Sequence, residues 1–171
     1  MKEMKLIAAM GAILILTAAQ ADDKKVKKEF EAMQPKAERA FAKKDAAWLI
    51  GGLDDKFMWK HVGRPDENKK QTETGLKMWF KSAGKITCKM SVKDFKVSGD
   101  TVTMVSATTM SSKMKPGKDK KSHMMKYTMS MKETWVKTKA GWRATMFEDM
   151  PGVKMWMDGK PVDPAKAMGG G

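Results

Sequence analysis

Residues 122–150, SHMMKYTMSMKETWVKTKAGWRATMFEDM, decide how the chain folds. Up to Trp135 the odd positions read His123, Met125, Tyr127, Met129, Met131, Glu133 and Trp135, and the even positions Met124, Lys126, Thr128, Ser130, Lys132 and Thr134. One side is apolar and aromatic, the other lysine, serine and threonine. Successive side chains of a strand point to opposite faces, so this is a half-buried antiparallel strand rather than a polar metal-binding tract. KTKAG turns the chain, and WRATMFEDM returns it, with Trp142, Ala144, Met146, Glu148 and Met150 expected on one face.

Two upstream runs alternate in the same way. Ile86, Cys88, Met90 and Val92 share a face until Asp94, where the pattern slips by one to Phe95 and Val97 and so predicts a β-bulge. Val102, Met104, Ser106, Thr108 and Met110 share a face that its Ser and Thr make the wettest of the set, and SGD between the two runs predicts a tight hairpin.

The N-terminal half reads as helices around a first strand. From Lys24 to about Lys44, Val26, Phe30, Met33, Ala37, Ala40 and Phe41 recur at spacings of three and four, a long amphipathic helix with Asp22 or Asp23 placed to cap it. DAAWLIGGLDD predicts a short second helix capped by Asp45, with Trp48 and Leu49 inward and Gly51-Gly52 as its end. KFMWKHV alternates as a strand with Phe57, Trp59 and His61 on one side. GRPDENKKQ reads as a loop, and TETGLKMWFKSAG as a third helix with Thr72 as cap, Leu76, Trp79 and Phe80 on one face and Gly84 as the stop.

Residues 1–21 read as a signal peptide: Lys2 and Lys5, an apolar run from Leu6 to about Ala19, and the small-x-small ending Ala19-Gln20-Ala21. The run is shorter than the roughly 20 apolar residues of a membrane span and DDKKVKKEF follows it, so cleavage and export, periplasmic or secreted, with no stable membrane anchor afterwards, is the expectation. The mature part then divides into one domain over 22–152 and a C-terminal hairpin and flexible tail over 153–171.

The net charge of +14 favours acidic partners, yet 31 of the 34 basic residues are lysines spread along the chain and only Arg39, Arg64 and Arg143 offer the bidentate fork that reads phosphates and bases. The lysines read as solvated faces, and no nucleic-acid partner is expected. Cys88, the single cysteine, permits no internal disulfide and falls on an apolar face, as a buried inert thiol does.

The element order, with KDAAWLIGGLDDKFMWKHVG leading from helix to first strand, TGLKMWF as the third helix and TWVKTKAGWRATMFED as the closing hairpin, resembles the nuclear transport factor 2-like superfamily, in its SnoaL-like and ketosteroid-isomerase-like branches. The resemblance covers roughly residues 24–152. It implies an α+β cone-shaped barrel: a strongly curved antiparallel sheet wrapped around a long N-terminal helix, with a pocket on its concave face. Periodicity alone supports only an α+β domain with a curved antiparallel sheet. Superfamily members use the pocket for isomerisation, dehydration, cyclisation or binding, and some dimerise through the outer sheet face, so the resemblance does not select a function.

Polar groups placed inward by parity do that. A carboxylate among apolar neighbours suits acid–base work near neutral pH, which makes Glu133, His61 and Glu148 the catalytic candidates, with Asp54 or Asp55 at the pocket mouth. The ligand-binding candidates are Trp59, His61, Trp79, Tyr127, Glu133 and Trp135. Isomerases of the superfamily place an oxyanion-binding tyrosine on the first helix and this helix has none, so the favoured reading is binding of a small apolar or amphipathic ligand without chemistry. An isomerase-like or cyclase-like enzyme is the alternative.

Two further alternatives remain. Methionine far outnumbers leucine, and Met110, Met114, His123 and Met124 could supply soft ligands to Cu(I), although the lysines of KMKPGKDKK would repel a cation. The second is a dimeric module, a homodimer through the outer sheet face, with Trp156 packing across it. No nucleotide loop, zinc spacing or nucleophile elbow occurs, so no cofactor is expected.

Overall fold

A computed structural model of the protein describes residues 4–116 and 120–163, with side chains from residue 22 onward. Its elements are α1 (Met4–Lys43), α2 (Ala46–Gly51), β1 (Leu53–Lys60), β2 (Glu67–Asn68), α3 (Lys69–Ser82), β3 (Ala83–Ser98), β4 (Thr101–Met114), β5 (Met124–Thr138), β6 (Gly141–Asp149), β7 (Lys154–Met157) and β8 (Lys160–Val162). The side chains of the expected signal peptide and residues 164–171 of the expected tail lie outside the described residues.

The strands form one curved sheet in the order β2-β1-β6-β5-β4-β3, with β7 paired to β5 and β8 to β7. All pairings are antiparallel except β1 with β6, which run parallel. This α+β cone is the fold that the resemblance implied. Helix α1 runs along β3, where Glu38 Oε1 accepts a hydrogen bond from the Met90 backbone N–H at 2.9 Å and so covers part of an otherwise open edge.

The expected inward stripe of α1 is the observed one, with Phe30 and Ala40 buried and Val26, Met33, Ala37 and Phe41 half-buried. The helix passes through Asp22 and Asp23, which are therefore interior positions rather than caps. In α2, capped by Asp45 at 3.0 Å from the Trp48 backbone N–H, Ile50 is buried but Trp48 is 42% exposed, against expectation, because this six-residue helix turns it to the side opposite its core face.

Helix α3 starts earlier than its pattern suggested. Asn68 caps it, in a reciprocal capping box with Gln71, so Thr72 lies inside the helix and is buried. Gly84, expected as the helix stop, is instead the second residue of β3.

The expected bulge in β3 is present: pairing with β4 shifts between Lys93 and Lys96, and Asp94 takes φ 47°. SGD forms the β3–β4 turn. At the β7–β8 turn Asp158 (φ 51°) and Gly159 (φ 79°) occupy two consecutive left-handed positions, the backbone an Asp-Gly hairpin provides at least cost.

Three apolar clusters fill the concave side. Phe30, Val102 and Met104 gather with Trp135 and Trp142; Ile50, Leu53, Phe57 and Ala144 with Trp59 and Phe147; and Phe80, Ile86, Cys88 and Met110 with Trp79 and Tyr127. Methionine does the packing that leucine does elsewhere, since Met104, Met110, Met131 and Met155 are all buried.

Candidate functional site

Between these clusters lies a patch of buried polar side chains, and the strand register places it. Met131 of β5 stands opposite Ser106 on β4 and opposite Asp149 on β6. Glu133, two residues on, faces the same way, and Thr108 lies two residues along β4 from Ser106. The polar groups thus ring Met131. With neighbouring strands spaced about 4.8 Å, Ser106 and Asp149 lie on the order of 10 Å apart across it.

Ser106, Thr108 and Glu133 are 2%, 5% and 3% exposed. The face expected to be the wettest is therefore almost completely buried, because β4 is flanked by β3 and β5 and the helix side chains Phe30, Phe41 and Phe80 pack on its inner row. Glu133 accepts a hydrogen bond from Trp135 Nε1 at 2.8 Å. Burial pushes its carboxyl above the ordinary value, and the Ser106 hydroxyl and the Trp135 indole, which favour the charged form, offset only part of that. The Ser106 hydroxyl is near enough to act on the carboxylate. Ser106 Oγ, Thr108 Oγ1 and Thr72 Oγ1 have no hydrogen-bond partner among the described residues.

At the other side of Met131, Asp149 accepts from Trp59 Nε1 at 2.7 Å on one carboxylate oxygen and meets His61 Nδ1 at 2.8 Å on the other. Nδ1 thus faces both the Asp149 carboxylate, which only accepts, and the Arg64 guanidinium, which only donates. The His61 ring is fully buried and tilted against Trp59 at 4.9 Å between centroids. Nε2 has no hydrogen-bond partner among the described residues and lies 3.5 Å from Glu67 Oε1, and Arg64 bridges the edge of the ring, 2.9 Å from Nδ1 and 2.8 Å from Glu67.

Of the residues proposed from sequence, Trp59, His61, Glu133 and Trp135 come together here. Trp79 and Tyr127 do not. Trp79 packs between Phe41 and Phe80, and Tyr127 donates to Met110 Sδ at 3.1 Å beside Cys88. Burial, with Cys88 nearby, holds the Tyr127 phenol above its ordinary value; burial and the Glu38 charge push the Cys88 thiol up to about 12, so both are inert near neutrality.

Glu148 is a correction. Pairing of β5 with β6 shifts between Thr134 and Trp135, and past this bulge Glu148 turns to the outer face, where Lys132 Nζ lies 3.6 Å from it. Asp149 takes the inward place. Asp54 and Asp55 line a separate polar hollow of about 340 Å³ with Lys69, Thr138 and Arg143, and Asp55 is paired to Lys69 at 2.9 Å.

The four soft metal candidates do not converge. Met110 faces inward against Tyr127, whereas Met124, paired with Lys113, faces outward; Met114 takes a weak contact from Ser112 Oγ at 3.7 Å; and His123 Nδ1 meets Asp158 Oδ2 at 2.6 Å. Asp158 also accepts from the Met124 backbone N–H at 2.8 Å, so His123 and Asp158 together fasten the β7–β8 turn to the start of β5. His123 hydrogen bonding, first of all, lowers the Asp158 carboxyl.

The architecture is shared widely among solved structures. A protein of the nuclear transport factor 2-like superfamily from Salmonella enterica is 18% identical with a TM-score of 0.61, covering 74% of this chain and 91% of that one. A scytalone dehydratase-like protein from Novosphingobium aromaticivorans is 11% identical with a TM-score of 0.65, covering 84% and 93%. A hexachlorocyclohexane dehydrochlorinase is 9% identical with a TM-score of 0.59, covering 83% and 93%. No family model and no curated protein matches the sequence. The chain therefore has the nuclear transport factor 2-like cone fold, and these identities speak to fold alone.

Proposed function

We propose that the domain binds a small amphipathic molecule on its concave face. The apolar part packs on Met131, Phe147 and Trp59, and the polar part is held by Glu133, Ser106 and Thr108. One observation carries this reading: on the inward row of β4 the hydroxyls of Ser106 and Thr108, each at least 95% buried, have no hydrogen-bond partner among the described residues. Unpaired buried polar groups are costly, and a bound hydroxyl, carbonyl or amide would satisfy them. A methionine floor adapts to ligand shape at low cost. The segment His61–Asp66, whose Val62 is 65% exposed, forms the rim nearest the Trp59–His61–Asp149 group and is the natural approach. With residues 1–21 read as a signal peptide, the ligand is met outside the cytoplasm; among the described residues no helix is long and apolar enough to cross a membrane.

A thermal-shift panel of small amphipathic alcohols, ketones and amides tests this. A ligand at a hundred times its Kd stabilises by about 2.7 kcal/mol, a shift of several degrees for a domain of this size. Hits whose shift survives intact in Thr108→Val combined with Glu133→Gln would place binding elsewhere and end this reading.

A second reading, proton transfer, rests on His61. Asp149 holds the ring in place and Nε2, without a hydrogen-bond partner among the described residues, is the candidate base, with the Glu133 carboxyl, raised by burial, as the candidate acid across the floor. Two proteins of similar fold carry the names of elimination enzymes, a dehydratase and a dehydrochlorinase. Turnover of any thermal-shift hit, abolished in His61→Gln with binding retained, would distinguish it from binding alone.

A further inference from the structure

The lysines that look evenly scattered along the sequence are gathered by the fold. On the convex face of the sheet Lys89, Lys93 and Lys96 of β3, Lys126 and Lys132 of β5, and Lys154 of β7 share the outer side, as the register of each strand with its neighbour shows. All six are exposed. Acids answer only locally: Glu148 sits 3.6 Å from Lys132, Glu38 lies 3.4 Å from Lys89, and Asp94 stands in the bulge between Lys93 and Lys96. Between the lysines the same rows carry Ser91, Thr103, Thr109, Thr128, Ser130 and Thr134.

At one end of this face Trp156 pairs with Lys126 across β7 and β5, with the Lys126 ammonium 5.6 Å from its ring centroid. The two border a hollow of about 370 Å³ that Ser111, Met124, Met125 and Gly159 complete. An indole face, an ammonium and a hydroxyl converge there.

We infer that the convex face docks an acidic polysaccharide, a sugar ring stacking on Trp156 and the carboxylates of successive residues lying along the lysine rows. The chemistry separates this partner from the others that a basic face could take. Lysine is a point charge that neutralises an anion without reading its geometry, and Arg143, the one arginine on this face, donates to the Trp142 carbonyl, so base readout has at most a single fork to use. A lipid surface calls for bulky apolar side chains among the bases, and here the intervening positions are mostly serine and threonine, which match a hydroxylated chain instead. A second copy meeting the same patch in a two-fold pair would set lysine against lysine, so the face is poorly suited to pairing with itself.

The test uses the full chain, polygalacturonate as probe, and isothermal titration at about 20 mM and about 150 mM salt. Binding at low salt that weakens at least tenfold at the higher salt is expected, since exposed charges are screened. Lys93→Glu with Lys132→Glu should weaken low-salt binding at least tenfold. Trp156→Ala should lower affinity threefold or more at the higher salt, where stacking is the larger share. Circular dichroism establishes that each variant is folded, and Lys70→Glu with Lys77→Glu on helix α3 controls for net charge. Absence of binding at low salt overturns the inference. So does equal loss in the helix control, or tighter binding to vesicles containing 30% phosphatidylglycerol or to duplex DNA than to polygalacturonate, or a dimer in light scattering that the Lys93→Glu pair dissolves.

Discussion

Thr108→Val removes one buried hydroxyl and changes almost nothing else in shape. Where a threonine hydroxyl is hydrogen-bonded, this exchange destabilises. Here Thr108 is 5% exposed and its Oγ1 has no partner among the described residues, so the sign reverses. Relieving the desolvation of an unsatisfied hydroxyl is worth about 1–3 kcal/mol, and the added methyl surface up to about 0.8 kcal/mol, against small repacking losses. A net gain of about 1–2 kcal/mol follows, or roughly 3–6 °C in Tm for a domain of this length. Urea denaturation with an unchanged m-value is the assay. The same exchange should weaken a concave-face ligand about 3–10-fold, the equivalent of one ordinary hydrogen bond. Higher stability with poorer binding is the signature of a hydroxyl kept for a ligand. A loss of 1 kcal/mol or more in the ligand-free protein would show that the hydroxyl is already bonded within the chain and would refute the reasoning.

Three further predictions follow from the same interior. Trp59→Phe removes the 2.7 Å hydrogen bond to the Asp149 carboxylate and should cost about 1.5–3 kcal/mol in urea denaturation, with His61 loosened in its NMR spectrum. Glu133→Gln should stabilise near neutrality. Burial raises the Glu133 carboxyl above its ordinary 4.5, so its contribution is fully present below that value and is lost as pH rises through the folded-state value; the wild-type-minus-variant stability should fall over that window, and a flat difference would mean the carboxyl is not buried in solution. Gly84→Ala builds a Cβ 2.7 Å from the Lys113 carbonyl oxygen, a backbone atom that can move only with the β3–β4 ladder, and a Tm loss corresponding to about 1–3 kcal/mol is expected.

The two bulges show what alternation can and cannot reveal. In β3 the slip is visible because charged Lys93, Asp94 and Lys96 interrupt the apolar series, so the sequence itself records where parity changes. In β6 the run ATMF offers apolar or neutral side chains on both parities, Ala144 and Met146 on one and Thr145 and Phe147 on the other. Period two therefore continues unbroken on paper while the backbone shifts. That one residue exchanges Glu148 for Asp149 and hides the partner that fixes both Trp59 and His61. The signal available was the Glu148-Asp149 pair, which puts a carboxylate on the inner face whichever parity holds.

The helical stripe of α1, the inward parity of β5 and the aromatic face of β1 were legible, since each is a repeated pattern set by burial. The buried Ser106–Thr108 row was not. Side-chain polarity suggested water, but position in the sheet decided burial. Likewise Asn68 outcompeted Thr72 as the helix cap because its side chain and that of Gln71 satisfy each other's backbone N–H, a reciprocal geometry that a single capping residue does not show.

The central claim, a small molecule held at Glu133, Ser106 and Thr108, is tested most directly by native mass spectrometry of the protein purified without denaturation from its own cells, beside Thr108→Val and Glu133→Gln prepared identically. The account predicts a discrete added mass on the wild type that denaturation releases and that both variants lose in large part. Wild-type protein carrying no added mass, or an added mass kept equally by both variants, would contradict it.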